Sequence, residues 1–141
     1  MSKAGLLWTS RLLRWGLAAV FALAAVLKVM DPYRFAEDIR NYLIMPWWSL
    51  HALALLLPWI ELVCAAALVI NKWPAEAATI LIAMLVVYIV VLSSTIIRGI
   101  DVHCGCFGKY DTSSAIVVIL RDFVLLGMAV GVIVVSRRRR A

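Results

Sequence analysis

The chain has 141 residues, of which 65% are hydrophobic and 16% are charged, and its mean hydropathy is +1.00. Soluble domains carry roughly 45–50% apolar and about 25% charged residues, so this composition excludes an ordinary soluble domain. The formal net charge of +6 does not indicate a nucleic-acid partner, because four of the cations form the run Arg137 to Arg140 beside an apolar stretch. Such a run is typical of the cytoplasmic flank of a membrane span.

Four apolar segments reach the length of about 20 residues that a membrane-spanning helix needs. They predict helices at about 7–30, 49–70, 75–97 and 114–136. Basic residues precede the first segment as in a signal peptide, but we find no small-residue cleavage site ahead of a polar mature region. We therefore expect a retained helix, and a single membrane domain over residues 1–141 that forms a bundle of four transmembrane helices.

The connections between these helices differ in character. Asp31 and Pro32 end the first helix, and the loop that follows, up to Trp48, alternates charged with apolar residues. The charged positions are Arg34, Glu37, Asp38 and Arg40, and the apolar positions are Phe35, Ile39 and Leu43. This alternation predicts a short amphipathic helix that lies in the membrane interface. Residues 71–74 predict a tight turn, and residues 98–113 form the second long connection.

The distribution of lysine and arginine predicts the orientation of the bundle. With both termini in the cytoplasm, the cytoplasmic flanks hold Lys3, Arg11, Arg14, Lys72 and Arg137 to Arg140. The outer side then holds Lys28, Arg34, Arg40, Arg98 and Lys109. We expect a multi-pass protein of the bacterial inner membrane, with both long loops on the periplasmic side.

The second long connection contains the most informative motif, Cys104-Gly-Cys106, with His103 directly before it. Its two cysteines lie on the side of the membrane where disulfides persist. A bridge between them closes a very small ring, which needs the backbone freedom of Gly105 and should be strained. Strained, exposed bridges exchange readily with other thiols, and an adjacent imidazolium favours the reactive thiolate. The motif therefore predicts thiol–disulfide exchange rather than a structural cross-link.

Two alternatives compete with this interpretation. The cysteines could be ordinary loop residues without a redox role. His103, Cys104 and Cys106 could instead bind a metal, with Cys64 or a methionine as a further ligand, because thiolates suit copper and zinc. The spacing of the pair is, however, shorter than the C-x₂₋₄-C of usual zinc sites.

Charged residues within the predicted helices are costly in a bilayer and usually face the bundle interior. Glu61 lies near the middle of the second helix, and Arg121 and Asp122 lie about two turns into the last one. Lys28 and Arg98 lie near outer helix ends, where their side chains could extend to water. We expect Glu61 to pair with either Arg121 or Lys28.

Two further features concern packing. Cys64 lies one turn after Glu61 and on the same face, where a core-packing role is expected and a third redox thiol is the alternative. Gly127 and Gly131 form a small-x-x-x-small pattern, which permits close contact between helices.

Taken in order, several segments resemble the MauE family of the MauE/DoxX-like membrane proteins. They are Lys28-Val-Met-Asp-Pro32 with Phe35, Tyr42-Leu-Ile-Met-Pro46, Leu57-Pro-Trp-Ile-Glu61, Cys104-Gly-Cys-Phe-Gly108 and Leu120-Arg-Asp122. The resemblance covers about 17–130 and implies a four-helix membrane bundle with a role in methylamine utilisation. It also implies a periplasmic thioredoxin-like partner of the MauD type. If the family's roles are carried over by position, Cys104 and Cys106 would be the redox pair.

The same architecture invites comparison with four-helix thiol oxidoreductases of the DsbB and vitamin K epoxide reductase type, which pass electrons between thiols and a quinone. Those proteins generally use a C-x-x-C pair and a second loop pair, whereas this chain has C-x-C and no second loop pair. This difference argues against quinone chemistry, and we keep a quinone only as an alternative cofactor. The residues that could line its pocket near the outer interface are Trp47, Trp48, His51 and Phe107.

Together these features predict a membrane-embedded thiol–disulfide redox protein that serves a periplasmic thioredoxin-like partner and supports the maturation of a periplasmic enzyme. The reactive group would be His103, Cys104 and Cys106, supported by the polar bundle residues Lys28, Glu61, Arg98, Arg121 and Asp122. The alternatives are a non-enzymatic membrane assembly factor and a carrier of a metal or small solute.

Overall fold

The computed structural model describes residues 3–41, 46–99 and 115–140. The regular elements in these ranges are α1 (Lys3–Met30), α2 (Pro32–Asn41), α3 (Trp47–Ile70), α4 (Pro74–Ile97) and α5 (Ala115–Arg140), all of them α-helices. The predicted all-α fold is confirmed, and α2 corresponds to the predicted short amphipathic helix. α5 continues past its predicted end at about 136 as far as Arg140, because arginine is a good helix former and nothing in the run breaks the helix.

The four longer helices in the described ranges are long and apolar enough to cross a membrane. The spans are Ala4–Met30, Trp48–Ile70, Pro74–Ile97 and Ile116–Arg138, with mean hydropathies between 1.9 and 2.8. Only 22–39% of their most apolar stretches is buried inside the protein. Large apolar side chains such as Leu56, Val87 and Val124 point outward and are exposed. Lipid is the solvent that suits this surface, so the fold is that of a multi-pass membrane protein.

Two contacts establish that α1 and α3 run antiparallel. Near one end of the pair, the side chain of Arg14 donates a hydrogen bond to Oδ1 of Asn71. Closer to the other end, the ammonium of Lys28 contacts the carboxylate of Glu61. Later residues of α1 therefore contact earlier residues of α3, as antiparallel helices require.

The remaining two long helices extend this antiparallel arrangement. The connection at residues 71–73 turns α4 back along α3. α5 runs antiparallel to α1, since Gly131 meets Leu13 whereas Arg121 shares a cavity with Lys28. The end of the bundle where α1 and α4 finish and α3 and α5 begin is termed the loop end. The opposite end, which holds residues 71–73, is termed the turn end.

The core of the bundle combines leucines with small residues. Leu17, Leu68 and Leu81 are completely buried. Around them lie buried alanines of all four long helices, which are Ala18, Ala65, Ala77, Ala78 and Ala129. Lipid is as apolar as these side chains, so helix association in a bilayer depends on close van der Waals contact, which small residues permit.

Glycines allow the closest approach between α1 and α5. A Cβ added at Gly131 would lie 3.1 Å from Cδ1 of Leu13, and one added at Gly16 would lie 3.0 Å from Cε of Met128. A Cβ at Gly127 would meet nothing within 4 Å. Of the two glycines in the predicted small-x-x-x-small pattern, only Gly131 therefore lies at this helix contact.

The difference between these glycines gives a matched pair of substitutions. Gly131→Val should lower the free energy of unfolding by about 1–3 kcal/mol, because the added carbons crowd Leu13 in a packed contact. Gly127→Val should leave the free energy within about 0.5 kcal/mol of the wild type, since its surroundings are open. Equilibrium unfolding in mixed micelles measures both. Equal losses in the two variants would contradict the assigned contact.

The turn end is fixed by backbone geometry and by α1. Asn71 ends α3 in the left-handed conformation at φ 61°, and its N–H donates to the carbonyl of Ala67. Asparagine is among the few residues other than glycine that tolerate this conformation at a helix end. Pro74 begins α4, where its missing N–H needs no helical partner. The buried side chain of Arg14 bonds to Asn71, which ties the turn to α1.

Candidate functional site

A buried ion pair joins α1 to α3. The ammonium of Lys28 donates to both carboxylate oxygens of Glu61, at 2.6 Å and 2.9 Å. The two side chains are 2% and 1% exposed. Helical side chains incline toward the N-terminus of their helix, so in antiparallel helices Lys28 and Glu61 incline toward each other. Of the two partners predicted for Glu61, the structure therefore places Lys28 on the carboxylate.

The ion pair lies deep in the bundle. Glu61 precedes Asn71 at the turn end by a helical rise of about 15 Å. The hydrocarbon core of a bilayer is about 30 Å thick, which places the carboxylate near its middle. The alternative that Lys28 extends to water at its helix end is wrong, since its ammonium is turned into the bundle.

Aromatic side chains complete the surroundings of the ammonium. The hydroxyl of Tyr88 on α4 lies 3.3 Å from Nζ of Lys28 and 3.5 Å from Oε1 of Glu61. The ring of Phe35 on α2 lies 5.0 Å from the same ammonium, and that of Tyr88 lies 5.3 Å away. Both rings are within the range in which an aromatic face attracts a cation. α2 thus covers the ion pair at the loop end.

Sequence reasoning missed Tyr88 and Phe35 as members of this site. Tyr88 lies within the long apolar run of α4. Nothing in that run indicates that its hydroxyl contacts charged groups on other helices. Phe35 gave a signal, since it is on the apolar side of the predicted amphipathic helix and is buried. What the sequence does not specify is the residue that the ring covers.

α5 contributes a second pair of charges. Nε and Nη2 of Arg121 lie 3.2 Å and 3.0 Å from Oδ1 of Asp122. Asp122 is buried and Arg121 is partly exposed. Both side chains line a small cavity of about 20 Å³, which they share with Lys28, Glu61 and Tyr88. A cavity of this size has room for about one water molecule.

These five residues, Lys28, Glu61, Tyr88, Arg121 and Asp122, are termed the polar centre. Each of the four long helices contributes to it. Its two cations balance its two carboxylates, so the charges compensate one another in a low-dielectric bundle. The polar centre therefore links the four long helices through one buried group of charges.

Two other predicted residues lie outside the polar centre. Arg98 follows α4 at the loop end, where its N–H donates to the carbonyl of Ser94 at 3.0 Å. Cys64 is 3% exposed and packs within the apolar core, one turn from Glu61 toward the turn end. This environment matches the core-packing role expected for Cys64.

The predicted reactive residues His103, Cys104 and Cys106 lie outside the described residues. They belong to the connection that joins the end of α4 to the start of α5. Gly99 and Ala115, which bound this connection, are both at the loop end. Arg121 follows Ala115 by a helical rise of about 9 Å. The polar centre is therefore about two turns below the start of α5.

A further cavity at the loop end includes one residue predicted to line a quinone pocket. It has a volume of about 240 Å³ and is lined by Pro32, Tyr33, Ala36, His51, Ala54 and Leu55. Pockets for cofactors generally enclose about 300–1,000 Å³. This cavity is smaller than that range, and Phe107 lies outside the described residues.

Known proteins that match this chain share one description. The model of the family described as methylamine utilisation protein MauE matches residues 6–135. Proteins described as methylamine utilization protein MauE are 32% identical in Paracoccus denitrificans, 31% in Methylophilus methylotrophus and 37% in Paracoccus versutus. These matches cover 89%, 79% and 84% of this chain, but only 67%, 60% and 65% of the respective relatives. No solved structure matches the chain.

Proposed function

Because the chain belongs to the MauE family, we propose that it is a membrane-embedded thiol–disulfide redox protein of a methylamine-utilisation system. Its Cys104–Cys106 pair exchanges disulfides with a periplasmic thioredoxin-fold partner of the MauD type. The exchange supports the maturation of a periplasmic enzyme. The bundle lies in the bacterial inner membrane with its loop end toward the periplasm.

The position of the cysteine pair in the chain carries this proposal. α4 ends at Ile97 and α5 begins at Ala115, so both cysteines belong to a connection between two candidate membrane spans. Backbone outside a helix avoids contact with lipid tails, because its polar groups would go unsatisfied there. A connection at the membrane surface gives a soluble partner access to the sulfurs, which exchange requires.

The reaction is a reversible exchange between two dithiol–disulfide couples. A thiolate of the partner attacks one sulfur of the Cys104–Cys106 bridge, and the other sulfur leaves as a thiolate. The second thiol of the partner then attacks the mixed disulfide, which releases a reduced pair on this chain and a disulfide on the partner. Two electrons and two protons pass from the partner to this chain, and the reverse sequence returns them.

The polar centre supports this exchange from within the bundle. Lys28 and Glu61 hold α1 against α3, and the cavity beside them brings in α4 and α5, which carry the cysteine connection. A shift that separated such a buried pair would leave an uncompensated charge, which is strongly unfavourable. The helices that bound the connection are therefore held in register with each other.

Alkylation of cysteines in intact cells tests the proposal. We expect Cys104 and Cys106 to be oxidised in part of the population and to react with a membrane-impermeant maleimide tag after mild reduction. Cys64 should react only after the bundle is unfolded, because it is buried in the core. The Cys64→Ser variant is the matched control and should show the wild-type redox pattern.

Two outcomes of this experiment would overturn the proposal. One is a pair that reacts only with membrane-permeant reagents, which would place the connection in the cytosol. The other is a pair that stays fully reduced under all growth conditions.

A further inference from the structure

A large cavity lies at the turn end, away from the polar centre. It has a volume of about 530 Å³ and opens between α1 and the end of α3. Its lining residues are Trp8, Arg11, Leu12, Arg14, Trp15, Val69 and Asn71. This volume is within the usual range for small-ligand sites.

Two arginines make this cavity electropositive. Arg14 is buried, and its guanidinium bonds to the carbonyl of Ser10 at 3.2 Å and to the side chain of Asn71. Arg11 lies one turn earlier on α1, on the same side of the helix, and is exposed. Among the described residues that line the cavity, none is acidic. Guanidinium groups in such a setting bind phosphate through paired hydrogen bonds.

An apolar face adjoins the two arginines. Trp8, Leu12 and Trp15 are exposed and share one face of α1, because they are four and three residues apart. Tryptophan is enriched at the level of lipid headgroups, where its ring contacts chains and its N–H reaches water. A free phosphate ion makes no use of this apolar wall, whereas a phospholipid contacts both the wall and the arginines.

The depth of the cavity agrees with a headgroup site. Arg14 contacts Asn71, which ends α3 at the turn end. Arg11 precedes Arg14 on α1 by a helical rise of about 5 Å, toward the same end. Arg11 therefore lies close to the membrane–water interface on the turn-end side.

From this combination of charge, apolar wall and depth, we propose that the cavity binds an anionic glycerophospholipid. Arg11 and Arg14 hold the phosphate, and the exposed face of Trp8, Leu12 and Trp15 holds the upper part of the acyl chains. The bound lipid fills the gap between α1 and α3 at the turn end. This site is independent of the redox function.

Native mass spectrometry of the delipidated protein, titrated with phosphatidylglycerol or phosphatidylcholine, tests this site. We expect one phosphatidylglycerol to bind more tightly than phosphatidylcholine. Arg11→Gln should weaken that binding about fivefold, in keeping with the contribution of one arginine near a lipid surface. Lys72→Gln is the matched control, since it removes one charge at the same end from a residue that stands over Trp73 and does not line the cavity.

The control should stay within about twofold of the wild type. A third titration, with inorganic phosphate, distinguishes a phospholipid headgroup from a free phosphate ion as the ligand. Phosphatidylglycerol that stays bound in excess phosphate supports the lipid site, whereas its complete displacement would overturn it in favour of a free anion. Equal binding of the two lipids, or equal weakening by Arg11→Gln and Lys72→Gln, would also overturn the proposal. Both variants alter exposed side chains, so their unfolding temperatures should match that of the wild type.

Discussion

Replacing Lys28 with methionine is expected to lower the free energy of unfolding of the bundle by about 3–5 kcal/mol. The substitution keeps most of the volume of the side chain but leaves the carboxylate of Glu61 buried without its cation. An uncompensated charge near the middle of a bilayer is unfavourable by about 2.5–3.5 kcal/mol or more. Glu61→Gln should have a similar effect, because it leaves the ammonium of Lys28 in the same position.

The double variant Lys28→Met with Glu61→Gln separates charge from packing. Replacing a whole buried ion pair by neutral groups of similar volume is often close to neutral, so most of the lost stability should return. Equilibrium unfolding in mixed micelles, with all three variants and the wild type, gives the coupling free energy between the two residues.

The exposed pair of Glu37 and Arg40 on α2 is the matched control. Its charged groups are 3.3 Å apart and both side chains are 64% exposed. Arg40→Gln should change the free energy of unfolding by less than about 1 kcal/mol, as exposed ion pairs generally contribute little. If Lys28→Met proves no more destabilising than Arg40→Gln, the ion pair does not hold the bundle.

Replacing a single cysteine of the pair is expected to capture the partner covalently. In the variant that keeps the attacking sulfur, its thiolate attacks the disulfide of the oxidised partner. The mixed disulfide then persists, because this chain lacks the second thiol that would resolve it. Comparing Cys104→Ser with Cys106→Ser identifies which of the two sulfurs forms the mixed disulfide. Electrophoresis without reductant detects the adduct, and mass spectrometry identifies the captured protein.

The variant with both cysteines replaced by serine separates redox work from assembly work. It should form no adduct, and the oxidised fraction of the partner should differ from its wild-type value by about tenfold or more, since unassisted disulfide formation and reshuffling are slow. The bundle itself should stay folded, because serine and cysteine differ by a single atom, and the unfolding temperature checks this. Wild-type oxidation of a partner that still docks would instead identify a non-enzymatic assembly factor.

The positions of the membrane spans could be predicted from the sequence because the bilayer demands long apolar segments. The predicted ends of α3 and α4, at 49 and 70 and at 75 and 97, are within two residues of those observed. The extension of α5 through its arginine run was not predicted, since hydropathy reports where lipid ends and not where the helix ends.

The sequence reduced the possible partners of Glu61 to two residues but did not decide between them. Lys28 and Arg121 were both acceptable on charge, and the choice depends on how α1 and α5 are rotated about their axes. Those rotations follow from contacts such as Gly131 against Leu13, which hydropathy does not encode. The sequence also allowed the side chain of Lys28 to extend toward water, because long charged side chains near helix ends commonly do so.

The central claim is that Cys104 and Cys106 exchange a disulfide with a soluble thioredoxin-fold protein. The most direct measurement mixes the purified, oxidised chain with a reduced protein of that fold and counts alkylated thiols on both over time. Two thiols should appear on the chain as two disappear from the partner, and Cys64→Ser should behave as the wild type. Loss of partner thiols at the same rate with the double serine variant, or no exchange at all, would contradict it.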